Sequence, residues 1–249
     1  MPSLGTTGNS RVMEQPSSQQ QNSNESRHKT YSVLSAAAPE HGRSFLPAGS
    51  QTVFKYGRND PMKLLCIGDS NTYGYDPRSR LGARYPAEIR WTNRLNNCDV
   101  INIGINGMAV PNHASEYSSL ISSSRPELII VMLGVNDLLQ GSSAENTASR
   151  MERFLTLLKQ SGVAILLIAP PPVRMGAWVH SQGLIVESQK LTELYRSVAD
   201  RAGIHFADAG AWKIDLTYDG VHFSPEGHAA FARGLEAVMQ GIVIARKGH

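Results

Sequence analysis

The sequence predicts an α/β protein: a three-layer, flavodoxin-like, doubly wound parallel sheet of about five strands. Three observations carry that prediction. From Met62 onward, short apolar runs alternate with segments of helical period, the pattern that covers both faces of a parallel sheet with helices. Residues 127–133 (ELIIVML) are almost continuously apolar, as a strand buried on both faces must be. Polar, glycine-containing clusters follow the apolar runs, which puts them at the carboxyl edge of the sheet, where open α/β folds place their chemistry.

Taken in order, residues 63–67 (KLLCI) form the first strand and run straight into Gly68, Asp69, Ser70 and Asn71. A glycine at the strand end permits a sharp turn because it has no Cβ to clash. Residues 86–97 (PAEIRWTNRLNN) read as a helix with Ile89, Trp91 and Leu95 facing inward. Residues 99–103 (DVINI) are the second strand, followed by Gly104-Ile105-Asn106-Gly107, and a helix covers 112–122. The third strand, 127–133, ends in Gly134-Val135-Asn136-Asp137. A helix over 144–160 carries Met151, Phe154, Leu155 and Leu158 at helical spacing and stops at Gly162. Residues 163–169 (VAILLIA) are the fourth strand, halted by Pro170-Pro171-Pro172. A long helix over 186–202 ends near Gly203, and 204–207 is a short fifth strand. Residues 208–224 are loop-rich and contain Asp219-Gly220-Val221-His222. The last helix, 225–240, opens on Pro225, whose missing N–H is harmless in a first turn, and a loose tail is expected over 241–249.

Residues 1–61 differ from the remainder. Ser17 to Ser26 reads SSQQQNSNES, and no period of 2 or 3.6 is sustained. Such a stretch buries too little apolar surface to offset its ordering entropy, so a disordered or weakly ordered leader is expected, as a tag, a vector remnant or a misplaced start. The folded domain is then expected over 62–240.

The chain of 249 residues is 41% hydrophobic and 18% charged, which suits one globular domain with extra length. Its formal net charge of +3 is small and scattered, which argues against a nucleic-acid partner. Two cysteines, Cys66 and Cys98, are too few for a disulfide scaffold and fit no zinc spacing. No apolar run reaches the ~18–20 residues that span a bilayer, and the amino terminus lacks a secretory pattern. The expectation is a soluble cytoplasmic protein with neither nucleic acid nor membrane among its partners.

An unactivated serine is a poor nucleophile; it needs a base in reach, and the base needs an orienting carboxylate. Asp219 and His222 lie three residues apart, so one turn of chain can hold the carboxylate against one imidazole nitrogen and leave the other for Ser70. Asn136 offers an amide donor to a developing oxyanion, Gly107 a closely approachable N–H, and Ser70 its own N–H. Each has a plainer reading. Ser70 or Asp69 caps a helix, Asn136 and Asp137 do likewise, and His228, His205, His180 and His113 compete as the base. A full G-x-G-x-x-G is missing, and Thr72 stands where the last glycine of a G-x-S-x-G elbow belongs.

Gly68-Asp69-Ser70-Asn71, Asn102-x-Gly104-x-x-Gly107, Gly134-x-Asn136-Asp137 and Asp219-x-x-His222 resemble the four ordered blocks of the SGNH (GDSL-type) hydrolases, over nearly all of 62–240. The resemblance implies Ser70 as nucleophile, His222 as general base, Asp219 as its orienting partner, and Gly107 and Asn136 with the Ser70 amide as the oxyanion hole. It implies no metal and no organic cofactor. Asn71 replaces the usual leucine, a departure outside the catalytic atoms. The stretches 84–86 (RYP), 90–92 (RWT), 169–172 (APPP) and 208–210 (DAG) resemble the arylesterase/acyltransferase branch. That branch implies short acyl esters as small-molecule substrates, acyl transfer to alcohols, and homo-oligomers. Residues 170–182 are then a rim over the acyl pocket, with Trp178 lining it or packing on the core. Carbohydrate or lysophospholipid esters, and a non-catalytic small-molecule-binding domain of the same fold, stand as the alternatives.

Overall fold

The computed structural model describes residues 60–247 apart from Arg80 and Gly82, with side chains through Ile242. The leader expected over 1–61 lies almost wholly outside the described residues.

Five strands form one sheet: β1 (Met62–Gly68), β2 (Cys98–Asn102), β3 (Leu128–Met132), β4 (Ala164–Ala169) and β5 (His205–Asp208). Their order is β2-β1-β3-β4-β5, with all neighbours parallel. This is the flavodoxin-like order, and its switch point falls between β1 and β3.

Side chains alternate across the pleat, so the central strands must be apolar on both faces. Leu65, Ile67, Ile129, Val131, Ile165 and Leu167 enter one core layer. It is closed by α3 (Ser115–Ser124), α5 (Ala144–Lys159) and α6 (Gln182–Ala202), through Tyr117, Ile121, Phe154, Leu155, Leu191, Tyr195 and Val198. Leu64, Cys66, Leu128, Ile130, Met132, Leu166 and Ile168 enter the opposite layer, under α2 (Trp91–Arg94) and α7 (Pro225–Lys247), with Trp91, Phe231 and Leu235. Burying each such aliphatic or aromatic side chain contributes roughly 1.5–3 kcal/mol.

Several boundaries differ from the sequence reading. The helix expected over 86–97 contracts to α2, because Arg90 and Leu95 are extended at its two ends. Trp91 and Leu95 still face inward as expected. Helix α6 begins earlier than 186, at Gln182, capped by the Ser181 side chain accepting from the Gly183 N–H, which shortens the expected rim. Helix α7 runs past Gln240, where a tail was expected, to Lys247. Two short helices were not foreseen: α1 (Ser70–Tyr73) and α4 (Val135–Leu139). Each is a single turn, too short to show a period, and each starts where a strand delivers a polar cluster.

Candidate active site

Strand β1 delivers Ser70 to the carboxyl edge. The Asp69 side chain caps α1 by accepting from the Asn71 N–H at 2.9 Å, which fixes the serine at the first helical position. Gly68 is needed because a Cβ there would stand 2.0 Å from Thr72 Oγ1. The turn is therefore tighter than any side-chain-bearing residue allows.

Asp219 and His222 come from the long connection after β5. Asp219 Oδ1 accepts from the Val221 and His222 N–H groups and from Thr217 Oγ1, each at 2.9 Å. Its Oδ2 lies 2.7 Å from His222 Nδ1, and His222 Nε2 lies 2.9 Å from Ser70 Oγ, across 152 positions of sequence. All three residues are buried. Burial pushes the Asp219 carboxyl upward, but the hydrogen bonds from the His222 ring and the two backbone N–H groups outweigh it and bring it down to about 2. An ionised Asp219 holds the imidazole with its Nδ1 proton inward and its Nε2 lone pair toward the serine. The arrangement can therefore take the hydroxyl proton as Oγ attacks a carbonyl carbon.

Asn136 sits in the first turn of α4, with its Nδ2 donating to Met108 O at 3.1 Å and lying 3.5 Å from Asp69 Oδ2. Those contacts bring it beside both the Ser70 turn and the 105–108 turn. Gly107 occupies the third place of that turn, which is closed by Met108 N–H donating to Ile105 O at 3.1 Å. Its φ of +74° is the reason for glycine there, since a Cβ would meet nothing within 4 Å. Among the described residues the Gly107 N–H has no acceptor, so it remains available to a ligand. Asp137 takes a different part: it accepts from the Val110 N–H at 2.9 Å and pairs with Arg150 at 2.8 Å, anchoring the 108–110 loop.

The competing histidine in α7, His228, points away from the edge. It is fully buried, its Nδ1 accepts from the Trp91 N–H at 3.4 Å, and its Nε2 has no partner among the described residues. Burial, then the charges of Arg90, Arg94 and His222, push it down to about 3, so it stays neutral at ordinary pH.

Of the neighbours of the site, the sequence reading named Trp178 with two alternatives, did not name Tyr75, and set Asn71 aside. Tyr75 and Trp178 flank the His222 ring with centroids at 4.7 and 4.8 Å, Trp178 edge-on and half-exposed. Trp178 thus lines the site rather than packing into the core. Its segment is tied to the Asp219 turn by three backbone bonds: Arg174 N–H to Gly220 O, Ala177 N–H to Tyr218 O and Trp178 N–H to Asp219 O, at 3.0–3.1 Å. Asn71, set aside on sequence, is buried against the His222 segment. A polar residue in place of an expected leucine was the signal that could have found it, because a buried amide must be hydrogen-bonded. Among the described residues no cluster of His, Cys, Asp and Glu could hold a metal, and no helix is long and apolar enough to cross a membrane.

A flavodoxin-like sheet with serine, histidine and aspartate in hydrogen-bonded series at its carboxyl edge defines a serine hydrolase in class. Comparison with known proteins gives the family. Residues 66–230 match the GDSL-like lipase/acylhydrolase family. An arylesterase of Vibrio mimicus is 26% identical over 199 residues, 73% of this chain and 88% of that protein. A solved structure from Agrobacterium tumefaciens, provisionally assigned as an arylesterase, is 30% identical with a TM-score of 0.64 over 73% of this chain and 99% of its own. A carbohydrate acetylesterase family member from Sinorhizobium meliloti is 27% identical, with a TM-score of 0.63 over the same 73% and 99%. The chain belongs to the GDSL-like lipase/acylhydrolase family, the SGNH hydrolases, on its arylesterase side, and is a serine ester hydrolase.

Proposed function

We propose that the protein hydrolyses short-chain acyl esters of aryl or similarly planar alcohols through an acyl-enzyme on Ser70. The observation that carries this reading is the unbroken series from Asp219 through His222 to Ser70, at 2.7 and 2.9 Å. Ser70 Oγ attacks the ester carbonyl carbon while its proton passes to His222 Nε2. Negative charge develops on the carbonyl oxygen, against the Ser70 and Gly107 N–H groups and Asn136 Nδ2. The tetrahedral intermediate collapses, the C–O bond to the alcohol breaks, and the leaving oxygen takes the proton from His222. Water, deprotonated by His222, then attacks the acyl carbon, and the C–O bond to Ser70 breaks as Oγ takes that proton back from His222, releasing the carboxylic acid. An alcohol entering in place of water yields a new ester by the same step, so acyl transfer needs no further group.

Choice of leaving group follows from where it departs. The leaving oxygen must lie against His222 Nε2, and that ring is flanked by Tyr75 and Trp178. Aromatic walls favour a planar aryl group by stacking or edge contacts worth about 0.5–1.5 kcal/mol. The arylesterase relatives support the same choice. The apolar face of a pyranose stacks on tryptophan too, and the carbohydrate acetylesterase relative favours an acetylated sugar as the second reading.

A panel of phenyl acetate, acetylated xylose and a lysophospholipid, with longer acyl chains in each class, tests the assignment. Aryl acetate is expected to give the highest kcat/KM, and Ser70→Ala to abolish turnover of every member. A preference for the lysophospholipid, or an unchanged rate for Ser70→Ala, would overturn it.

A further inference from the structure

We infer that Asn71 is a positioning residue that clamps the serine turn to the histidine segment and so sets the Ser70–His222 distance; this rests on the catalytic roles proposed above. The residue follows Ser70 directly, and all four of its polar groups are engaged. Its backbone N–H donates to Asp69 Oδ1 at 2.9 Å, and its C=O accepts from Trp91 Nε1 at 3.0 Å. The side chain reaches across 150 and more positions of sequence: Nδ2 donates to Val221 O at 3.1 Å and Oδ1 accepts from the Phe223 N–H at 2.9 Å. Those two partners lie on either side of His222. One amide therefore holds the peptide groups before and after the base, while its own backbone is one bond removed from the nucleophile.

Among the described residues no other side chain hydrogen-bonds the serine turn to the backbone on both sides of His222. The Asp219–His222 pair is internal to its own turn, held by Asp219 Oδ1. It can stay intact while the whole turn shifts relative to Ser70. The 174–178 segment braces the turn from outside, through backbone bonds to residues 218–220 and the Arg174 side chain on Leu216 O, Thr217 O and Asp215, without reaching the serine turn. Tyr75 touches the His222 ring and the Tyr218 hydroxyl donates to Pro77 O, but it is the Asn71 amide that hydrogen-bonds the peptide groups on both sides of His222. Trp91 stiffens it from below, with its indole buried under α7 beside Phe231. A misplacement of about 1 Å between reacting groups can cost about a hundredfold in rate, so a clamp at this point acts on kcat.

Asn71→Leu removes both side-chain bonds while keeping the same branched heavy-atom skeleton, and leucine is the residue usual at this place in the family pattern. Asn71→Asp keeps the acceptor for the Phe223 N–H and loses the donor to Val221 O. For Asn71→Leu the expected result is a fall in kcat of about 10–100-fold with KM within about twofold, measured well below the melting temperature. Asn71→Asp should fall between it and the wild type. The downfield proton resonance of the His222 Nδ1–H should persist in both variants, because the pair with Asp219 is untouched. A folded Asn71→Leu with wild-type kcat would overturn the clamp. Failure of both variants to fold would also overturn it, by assigning Asn71 to the fold rather than to alignment. Ser70→Ala measured in parallel separates the two readings. If it is inactive while Asn71→Leu is fully active, the clamp alone fails; if it is active, the catalytic reading fails and takes the clamp with it.

Discussion

Two histidines six residues apart, His222 and His228, are buried almost equally, at 2% and 0% exposure, yet they occupy opposite chemical settings. His222 closes a loop at the sheet edge and has a partner on each ring nitrogen, a carboxylate at 2.7 Å and a hydroxyl at 2.9 Å. His228 lies inside α7 between Tyr85 and Phe223, with one long bond from the Trp91 N–H and a bare Nε2. Burial without a counter-charge leaves an imidazole neutral and inert, whereas a paired carboxylate makes an imidazole a base. What distinguishes the candidate base from a packing residue is its partners, and burial alone does not.

The comparison can be broken most severely at Asp219. Asp219→Asn keeps the volume but reverses what the side chain offers to His222 Nδ1, favouring the wrong tautomer. It should lower kcat by about 10³–10⁴ in steady-state ester hydrolysis. A loss under tenfold would remove the carboxylate from its orienting role. Asn136→Ala, which removes one oxyanion donor and leaves both histidines in place, should lower kcat by about 10²–10³. A loss below about threefold would exclude it.

The other side of the comparison is sharpened by His228→Asn, which should leave kcat within about twofold. Its effect belongs to stability. The folded His228 value, lowered from 6.5 to about 3, means that the unfolded chain gains a proton below pH 6.5 and the folded one does not until about pH 3. His228 therefore withdraws stability as pH falls from about 6.5 toward 3, at up to about 1.4 kcal/mol per pH unit. Asp69 acts in the opposite direction. Burial raises it from 3.8 to about 6 against the Asn71 N–H bond and the field of His222, so its contribution is present below pH 3.8 and lost as pH rises through 6. Urea unfolding from pH 4 to 7 should show a flatter acid limb for His228→Asn than for wild type. Parallel limbs would contradict the neutral, buried assignment.

How much of this was legible beforehand depends on the residue. The sheet could be read from 127–133 and 163–169, because a strand covered on both faces needs no polar position and two such runs leave few folds open. Ser70, Asp219, His222, Asn136 and Gly107 could be named from four spaced motifs. The structure brings the first three into hydrogen-bonding series and sets Asn136 beside the Gly107 turn. The single-turn helices α1 and α4 were hidden, since four or five residues carry no period. Tyr75 and Trp178 were not identifiable as a pair because they meet only across the His222 ring. Asn71 was legible as a departure from pattern but not as a clamp, because its partners lie at the far end of the domain.

The most direct test of the central claim, that Ser70 and His222 act as one nucleophilic unit, is to trap the acyl-enzyme. Wild type mixed with p-nitrophenyl acetate and quenched in acid during the first turnover should carry one acetyl group per chain, mapped by peptide mass to Ser70. His222→Ala should carry almost none. An acetyl group found on another residue, or equal labelling of Ser70 in His222→Ala, would contradict the account.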